Sequence, residues 1–229
     1  MKTLILACNM LKDELNKAII ETECKYPLQW VDTEELHLEP MTLKEHLQKE
    51  LDAINGFDRV LLAFGYCGNA LLGLKPPSFS LIFPKVDDCI TLCLGSCERR
   101  KEISDEMGTY FYTKGWMEYK HNIWNVYQHE FPRLADRYGK ERAEKVWSKM
   151  LPKQYKRLGI IETGAYELGE VLKKAETMAT NLNLCYQVIP GTTAYIEKLL
   201  TGQWDEEFIT IYPGETVTFE RISLKPSQQ

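Results

Sequence analysis

The fold class of this chain is indicated by one stretch, Val60-Leu61-Leu62-Ala63-Phe64-Gly65-Tyr66-Cys67-Gly68-Asn69. Its first half is a short, continuous apolar run, which is typical of a strand buried on both faces of a parallel sheet. The glycines then turn the chain toward a short helix, which we predict over residues 68–72. Cys67 thus lies where a strand ends and a helix begins, the place where parallel α/β proteins bind their ligands.

The same construction occurs twice more. The apolar run at residues 4–7 is followed by Cys8, and the run at residues 81–83 is followed shortly afterwards by Cys89. The positive partial charge at a helix N-terminus favours a thiolate over a thiol. We therefore expect Cys8, Cys67 and Cys89 to meet at the carboxyl edge of one sheet and to act as ligands of a metal or a cluster.

The residues leave the identity of this centre open. Three thiolates suit zinc with an open fourth position, or an iron–sulfur cluster with one ligand that is not cysteine. A further alternative is a metal-free site in which Cys89 is a nucleophile or a methyl acceptor. Free cysteine can also be a small, buried apolar residue, and this description suits Cys24, Cys93 and Cys185.

Two acidic residues, Asp87 and Asp88, directly precede Cys89. One of them can cap the short helix that begins there and ends at Gly95. The alternative is a catalytic role as general acid or base, or a fourth metal ligand. Asn69, close to Cys67, is expected to line the same cleft and to contact a bound cofactor.

Two later turns resemble anion sites. Glu162-Thr163-Gly164 and Gly191-Thr192-Thr193 each end a predicted strand and open a predicted helix. Backbone N–H groups in such turns can bind an anion, so Gly164, Gly191 and Thr192 are candidate cofactor-binding residues. Neither turn matches a Walker or GxGxxG pattern, and the alternative is that both are plain helix caps.

Apolar runs and amphipathic stretches alternate on both sides of an aromatic segment, which is typical of an α/β protein with Rossmann-like layers around a parallel sheet. We predict two βαβ-rich halves, over residues 1–115 and 151–229, with an aromatic helical insert or lid over residues 116–150. The alternative is one single domain. The insert is expected to hold two helices that separate at Pro132 or Gly139.

Some local patterns predict element ends. Pro40 is expected to stop the segment before it, and Thr42 with Glu45 forms a capping box for a helix over residues 43–54. An edge strand is predicted over residues 216–222, near the end of the chain.

Composition narrows the class of protein. A net charge of -5 over 229 residues argues against a dedicated nucleic-acid-binding protein. No apolar run approaches the roughly 20 residues that span a bilayer, and no secretory signal begins the chain. We expect a cytoplasmic protein, not associated with a membrane, whose seven cysteines form no disulfide framework. The expected partner is a small-molecule substrate or cofactor, and the oligomeric state is left open.

A set of short motifs resembles the DUF1638 family, whose function is unknown. The matching motifs are Leu6-Ala7-Cys8, Gly65-Tyr66-Cys67-Gly68-Asn69, Asp88-Cys89-Ile90-Thr91-Leu92, Leu94-Gly95-Ser96, Gly108-Thr109-Tyr110-Phe111 and Gly115-Trp116. The resemblance covers most of the chain. It implies a link to corrinoid-dependent methyltransferase systems, with a corrinoid as cofactor and a corrinoid or methyltransferase protein as partner. The family pattern often has His-Asp-Cys where this chain has Asp87-Asp88-Cys89, so Asp87 either replaces a histidine ligand or leaves that position open.

Three functions follow as alternatives. The first is a metal- or cluster-binding protein, acting in one-carbon or corrinoid-linked methyl transfer. The second is a non-catalytic accessory protein that binds a methyltransferase component or its corrinoid. The third is a metal-free enzyme with a cysteine nucleophile. The sequence does not decide whether the protein is an enzyme.

Overall fold

The computed structural model describes residues 1–37, 39–150 and 154–222. The predicted α/β class is confirmed. By contacts, the chain forms two compact units: Met1–Cys97 with the described residues from Thr192 onward, and Glu98–Gly191. The contacts thus divide the chain after Cys97 and after Gly191, whereas the sequence predicted boundaries after residues 115 and 150. Residue 151, where the last predicted segment begins, lies outside the described residues.

The described residues form strands β1 (Thr3–Cys8), β2 (Leu28–Val31), β3 (Arg59–Ala63), β4 (Ser80–Pro84), β5 (Thr109–Tyr112), β6 (Arg157–Glu162), β7 (Cys185–Pro190) and β8 (Phe208–Ile211). Their helices are α1 (Lys12–Glu21), α2 (Pro40–Ala53), α3 (Cys89–Leu94), α4 (Cys97–Glu106), α5 (Lys114–Glu118), α6 (Ile123–Tyr138), α7 (Lys140–Met150), α8 (Leu168–Leu182), α9 (Ala194–Thr201) and α10 (Phe219–Ile222). A single 3-10 turn, Asn9–Leu11, joins β1 to α1. No helix among the described residues is long and apolar enough to cross a membrane.

The first unit contains a five-stranded sheet in the order β2-β1-β3-β4-β8. The first four strands are parallel, and β8 pairs antiparallel with β4. The chain goes from β1 outward to β2 and then returns to the other side of β1 to form β3. The strand order therefore reverses between β1 and β3, which is the position where open α/β sheets bind ligands.

Helices pack their apolar faces against this five-stranded sheet. In α2, Leu43, Leu47 and Leu51 are buried at helical spacing, and the strands β1, β3 and β4 are almost wholly buried. Helix α9 contacts α1, β3 and β4. The continuous apolar runs that predicted buried parallel strands thus form the centre of the unit.

The second unit has its own parallel sheet, β5-β6-β7, and its own core. Helix α8 packs Val171, Ala175 and Met178 against Tyr112 and Leu158. Helices α6 and α7 form the predicted aromatic pair, which separates at Gly139, where φ is 81°. Pro132 lies inside α6 and does not end it.

Two local predictions are wrong, the capping box and the edge strand. The segment before Pro40 ends as predicted, and Pro40 also begins α2, because proline fits the first helical turn. Thr42 therefore lies within the helix, where its hydroxyl donates to Glu39, and it does not cap. Residues 216–222 form no edge strand: Val217 makes backbone hydrogen bonds with Gly73 and Leu74, and then α10 begins.

Candidate thiol site

Three strand ends bring three cysteines together in the first unit. Cys8 ends β1, Cys67 follows β3, and Cys89 begins α3 after β4. The Cys89 thiol interacts with the thiols of both Cys8 and Cys67. The structure thus places the three predicted residues in contact; their binding of a metal stays a prediction.

The corner after β3 lies directly on the segment before α3. The N–H of Tyr66 donates to the carbonyl of Val86 at 2.9 Å, and the N–H of Cys67 donates to the carbonyl of Asp87 at 2.8 Å. A Cβ atom on Gly65 would lie 2.3 Å from the Cα of Asp88. Only glycine permits this approach, which sets Cys67 beside Cys89.

Cys67 begins a left-handed turn. The φ angles of Cys67, Gly68 and Asn69 are 45°, 69° and 71°, and this backbone replaces the predicted helix over residues 68–72. Such a φ costs a residue other than glycine about 1–2 kcal/mol, and strain of this kind clusters at functional sites. Asn69, the predicted cofactor contact, is exposed in this turn.

His37 and Thr33 were not predicted, and both contact the site. They lie in the turn after β2, which pairs with β1 so that Cys8 stands opposite Val31. The Cys8 sulfur is 3.3 Å from Thr33 Oγ1 and 3.8 Å from His37 Nε2. The end of β2, a fourth strand end at the same edge of the sheet, could have pointed to these two residues. Only the strand order, however, shows that β2 adjoins β1.

The hydrogen positions around Thr33 follow from its neighbours. Asn9 Nδ2 donates to Asp32 at 3.1 Å, so Asn9 Oδ1 accepts the Thr33 hydroxyl at 2.9 Å. That bond uses the only hydroxyl hydrogen of Thr33. The Thr33 oxygen therefore accepts at its contact with His37 Nε2, 2.9 Å away, and it lies 3.3 Å from the sulfur of Cys8.

Burial and mutual contact raise the pKa of two of these thiols, Cys8 and Cys89. Burial, followed by the contact with Cys89, raises the pKa of Cys8, and His37 partly opposes the rise. The hydrogen bond with Cys67, followed by burial, raises the pKa of Cys89. The Gly65 N–H opposes that rise by donating to the Cys89 sulfur.

The two aspartates have different positions. Asp88 caps α3, because its Oδ1 accepts from the N–H of Thr91 at 2.8 Å and from the Thr91 hydroxyl at 3.0 Å. Asp87 is exposed, and its carbonyl binds the N–H of Cys67. A catalytic role for either carboxylate stays a prediction.

In the later glycine turns, two of the three predicted residues have backbone N–H groups that already donate to carbonyl oxygens. The N–H of Gly191 donates to the carbonyl of Glu162, and the N–H of Thr192 donates to the carbonyl of Cys93, both at 2.8 Å. Gly164 lies in an exposed turn, and α8 begins only at Leu168. Because the N–H groups of Gly191 and Thr192 already donate to carbonyl oxygens, an anion could bind them only by displacing those carbonyl groups.

The donors fit a thiophilic metal in chemical type but are not already arranged around one. Among the residues that the structure describes, no three His, Cys, Asp or Glu side chains stand in the arrangement of a metal site. The contacts run in sequence from His37 to Cys8, from Cys8 to Cys89 and from Cys89 to Cys67. Metal binding would require the two ends of this row to move closer.

These features define an α/β protein whose first sheet carries a row of thiols at its switch point. Residues 31–200 match the family model described as "Protein of unknown function (DUF1638)". That match covers most of the chain, so the protein belongs to the DUF1638 family, as its motifs indicated. No curated protein and no solved structure matches the chain.

Proposed function

We propose that this protein binds zinc or an iron–sulfur cluster through Cys8, Cys67 and Cys89. The meeting of three thiols, from three neighbouring strand ends at the switch point, carries the proposal. Thiolates are the preferred protein ligands of both centres.

Both centres bind cysteine as the thiolate, so the thiol protons would leave on binding. The positive charge of a bound metal ion would oppose the effects of burial on Cys8 and of the contact with Cys67 on Cys89, which raise the pKa of each thiol.

The metal would give this edge of the sheet its chemistry. Zinc with an open position activates a bound thiol or water, and a cluster offers an iron to a substrate or transfers electrons. The chain's own residues would hold the ligands: Gly65 through its N–H to the Cys89 sulfur, and Asp88 through its cap of α3. The exposed Asp87 would serve as acid or base toward a small-molecule substrate.

The family resemblance supports a metabolic setting for the proposal. We place the protein in one-carbon metabolism linked to corrinoids, with a corrinoid or a methyltransferase protein as partner. Titration with a cobalamin, followed by its visible absorbance, tests this setting. A saturable spectral change supports it, and an unchanged spectrum contradicts cobalamin binding.

Metal analysis of protein purified without oxygen tests the site. We expect about one zinc ion, or iron with sulfide and visible absorbance, per chain. Replacement of Cys67 by Ala should abolish most of the binding, as should the triple replacement of Cys8, Cys67 and Cys89. The matched control replaces Cys24 and Cys185, which lie outside the row of contacts and should leave the metal content unchanged.

Circular dichroism of each variant shows whether the fold is retained. Cys67 is half-buried and lies outside the strands, so its replacement should preserve the spectrum. Wild-type protein that takes up neither zinc nor iron, even after reconstitution, contradicts the proposal. So does a folded Cys67→Ala variant that retains full metal content.

A further inference from the structure

We infer that the second unit carries a separate binding site for a small aromatic carboxylate. The site is a cavity of about 450 Å³ between helices α5, α6 and α8, a volume in the range of small-molecule pockets. Its lining residues lie between Met117 and Met178 and thus within one unit. The inference goes beyond the proposed metal-binding function and does not depend on it.

The inner part of the lining is apolar. Met117 and Met178 belong to the core of the unit, with 7% and 0% of their surface exposed. Trp124 is half-buried and packs against this core. Thioether groups and an indole ring are polarisable, and both make favourable contacts with a flat aromatic group.

The outer part of the lining is polar and comprises Asn125, Gln128, Lys173, Lys174 and Thr177. Lys173 donates to Glu170 at 2.7 Å. Lys174, by contrast, makes no ion pair or hydrogen bond with any residue that the structure describes. Its ammonium group is therefore available to a negatively charged ligand, to which it can donate charge-assisted hydrogen bonds.

The buried side chain of Asn122 fixes the wall that α5 and α6 form. Its Oδ1 accepts from the N–H groups of Trp124 and Asn125, both at 3.0 Å, and its Nδ2 donates to the carbonyl of Met117 at 2.9 Å. Asn125 Nδ2 donates in turn to the carbonyl of Tyr119 at 2.8 Å. Three lining residues are thus held in place before a ligand arrives, which lowers the entropic cost of binding.

Ring packing fixes the indole of Trp124 in the same way. The rings of Trp124 and Tyr127 are stacked, with 5.5 Å between their centroids and 18° between their planes. Tyr127 also stacks on Phe131 at 4.9 Å and meets Trp147 edge-on at 5.0 Å. A ligand therefore meets an indole that is already held by its neighbours.

The charge of the lining limits the class of ligand. Among the described residues of the lining, Lys174 is the cation without an ion pair, because Lys173 is paired with Glu170. One such cation suits a single carboxylate better than a chain of phosphates. The apolar inner part of the lining suits the aromatic body of the same molecule.

Fluorescence titration with 2-naphthoate and its neutral analogue 2-naphthamide tests this site, because the two probes share their rings and differ in charge. We expect wild type to bind naphthoate saturably and about fivefold more tightly than naphthamide. Lys174→Met should abolish this preference, since it removes the charge and retains most of the side-chain length. The matched control is Lys140→Met, at an exposed lysine of α7 outside the lining, which should keep the preference.

Trp124→Leu tests the aromatic contact, and it should weaken both probes by about fivefold. Circular dichroism shows whether each variant is folded. Lys174 is exposed, so its replacement decides the question even if Trp124→Leu unfolds. The inference is overturned if naphthoate does not bind saturably, if wild type binds both probes equally, or if Lys174→Met retains the preference. A folded Trp124→Leu variant with wild-type affinity for both probes would also overturn it.

Discussion

At Gly65, the backbone of one strand end lies directly against the backbone of another. An added Cβ would lie 2.3 Å from the Cα and 2.4 Å from the carbonyl carbon of Asp88. Since backbone atoms cannot rotate away as a side chain can, the two corners would have to separate. The site thus depends on a residue that has no functional group of its own.

Gly65→Ala is expected to lower the free energy of unfolding by at least about 2 kcal/mol, because the added methyl overpacks a rigid contact. It should also reduce metal binding by moving Cys67 away from Cys89. Urea unfolding and metal analysis are the measurements.

Gly169→Ala is the matched control. Gly169 lies in α8, and a Cβ there would meet no atom within 4 Å. The change should alter stability by no more than about 1 kcal/mol, in the stabilising direction, because alanine favours helices. Equal stability of the two variants would contradict the steric argument for Gly65.

At the scale of elements, α3 is short and depends on its ends. It spans six residues, with Asp88 as its N-cap and Gly95 at φ 95° as its C-cap. Few intrahelical hydrogen bonds form in so short a helix, so the two caps contribute a large share of its stability. Its first residue is Cys89, and the caps therefore also fix the central thiol of the row.

Replacement of Asp88 by alanine should cost about 1 kcal/mol of stability through the lost cap, whereas asparagine should retain most of it. Asp87→Ala, at the exposed neighbour, should stay within about 0.5 kcal/mol of wild type. Thermal unfolding of the three variants gives the comparison. A loss as large in Asp88→Asn as in Asp88→Ala would show that the charge of the carboxylate matters more than its cap.

For the whole molecule, the two units differ in how the chain builds them. The second unit is one continuous segment with its own core, whereas the first needs residues from both ends of the chain. Helix α9 buries Tyr195, Ile196, Leu199 and Leu200, and β8 covers the edge of β4. A fragment of residues 1–97 therefore lacks a strand and two helices, α9 and α10, of its own unit.

We expect the fragment of residues 98–191 to fold alone, and residues 1–97 to remain unfolded or to aggregate. A chain that joins residue 97 to residue 192 by a short linker should fold, because the N–H of Thr192 is 2.8 Å from the carbonyl of Cys93. Circular dichroism melting tests each fragment. Cooperative melting of the fragment 1–97 alone would contradict this division of the chain into two units. So would a linked chain that does not melt cooperatively.

The sequence by itself determined the α/β class, most of the strands and helices, and the three cysteines at strand ends. These features are local: a buried parallel strand needs a continuous apolar run, and a strand-to-helix corner needs glycine or a capping residue. The left-handed turn at Cys67 escaped prediction because its neighbours, Val86 and Asp87, belong to another segment.

Only the tertiary structure decided which corners are neighbours. The order β2-β1-β3-β4 sets Cys8 between the turn that carries His37 and the corner that carries Cys67. The tertiary structure also showed that the N–H groups of Gly191 and Thr192 already donate to carbonyl oxygens. Strand order and hydrogen-bond partners depend on contacts between residues far apart in the chain, and no local pattern of residue types specifies such contacts.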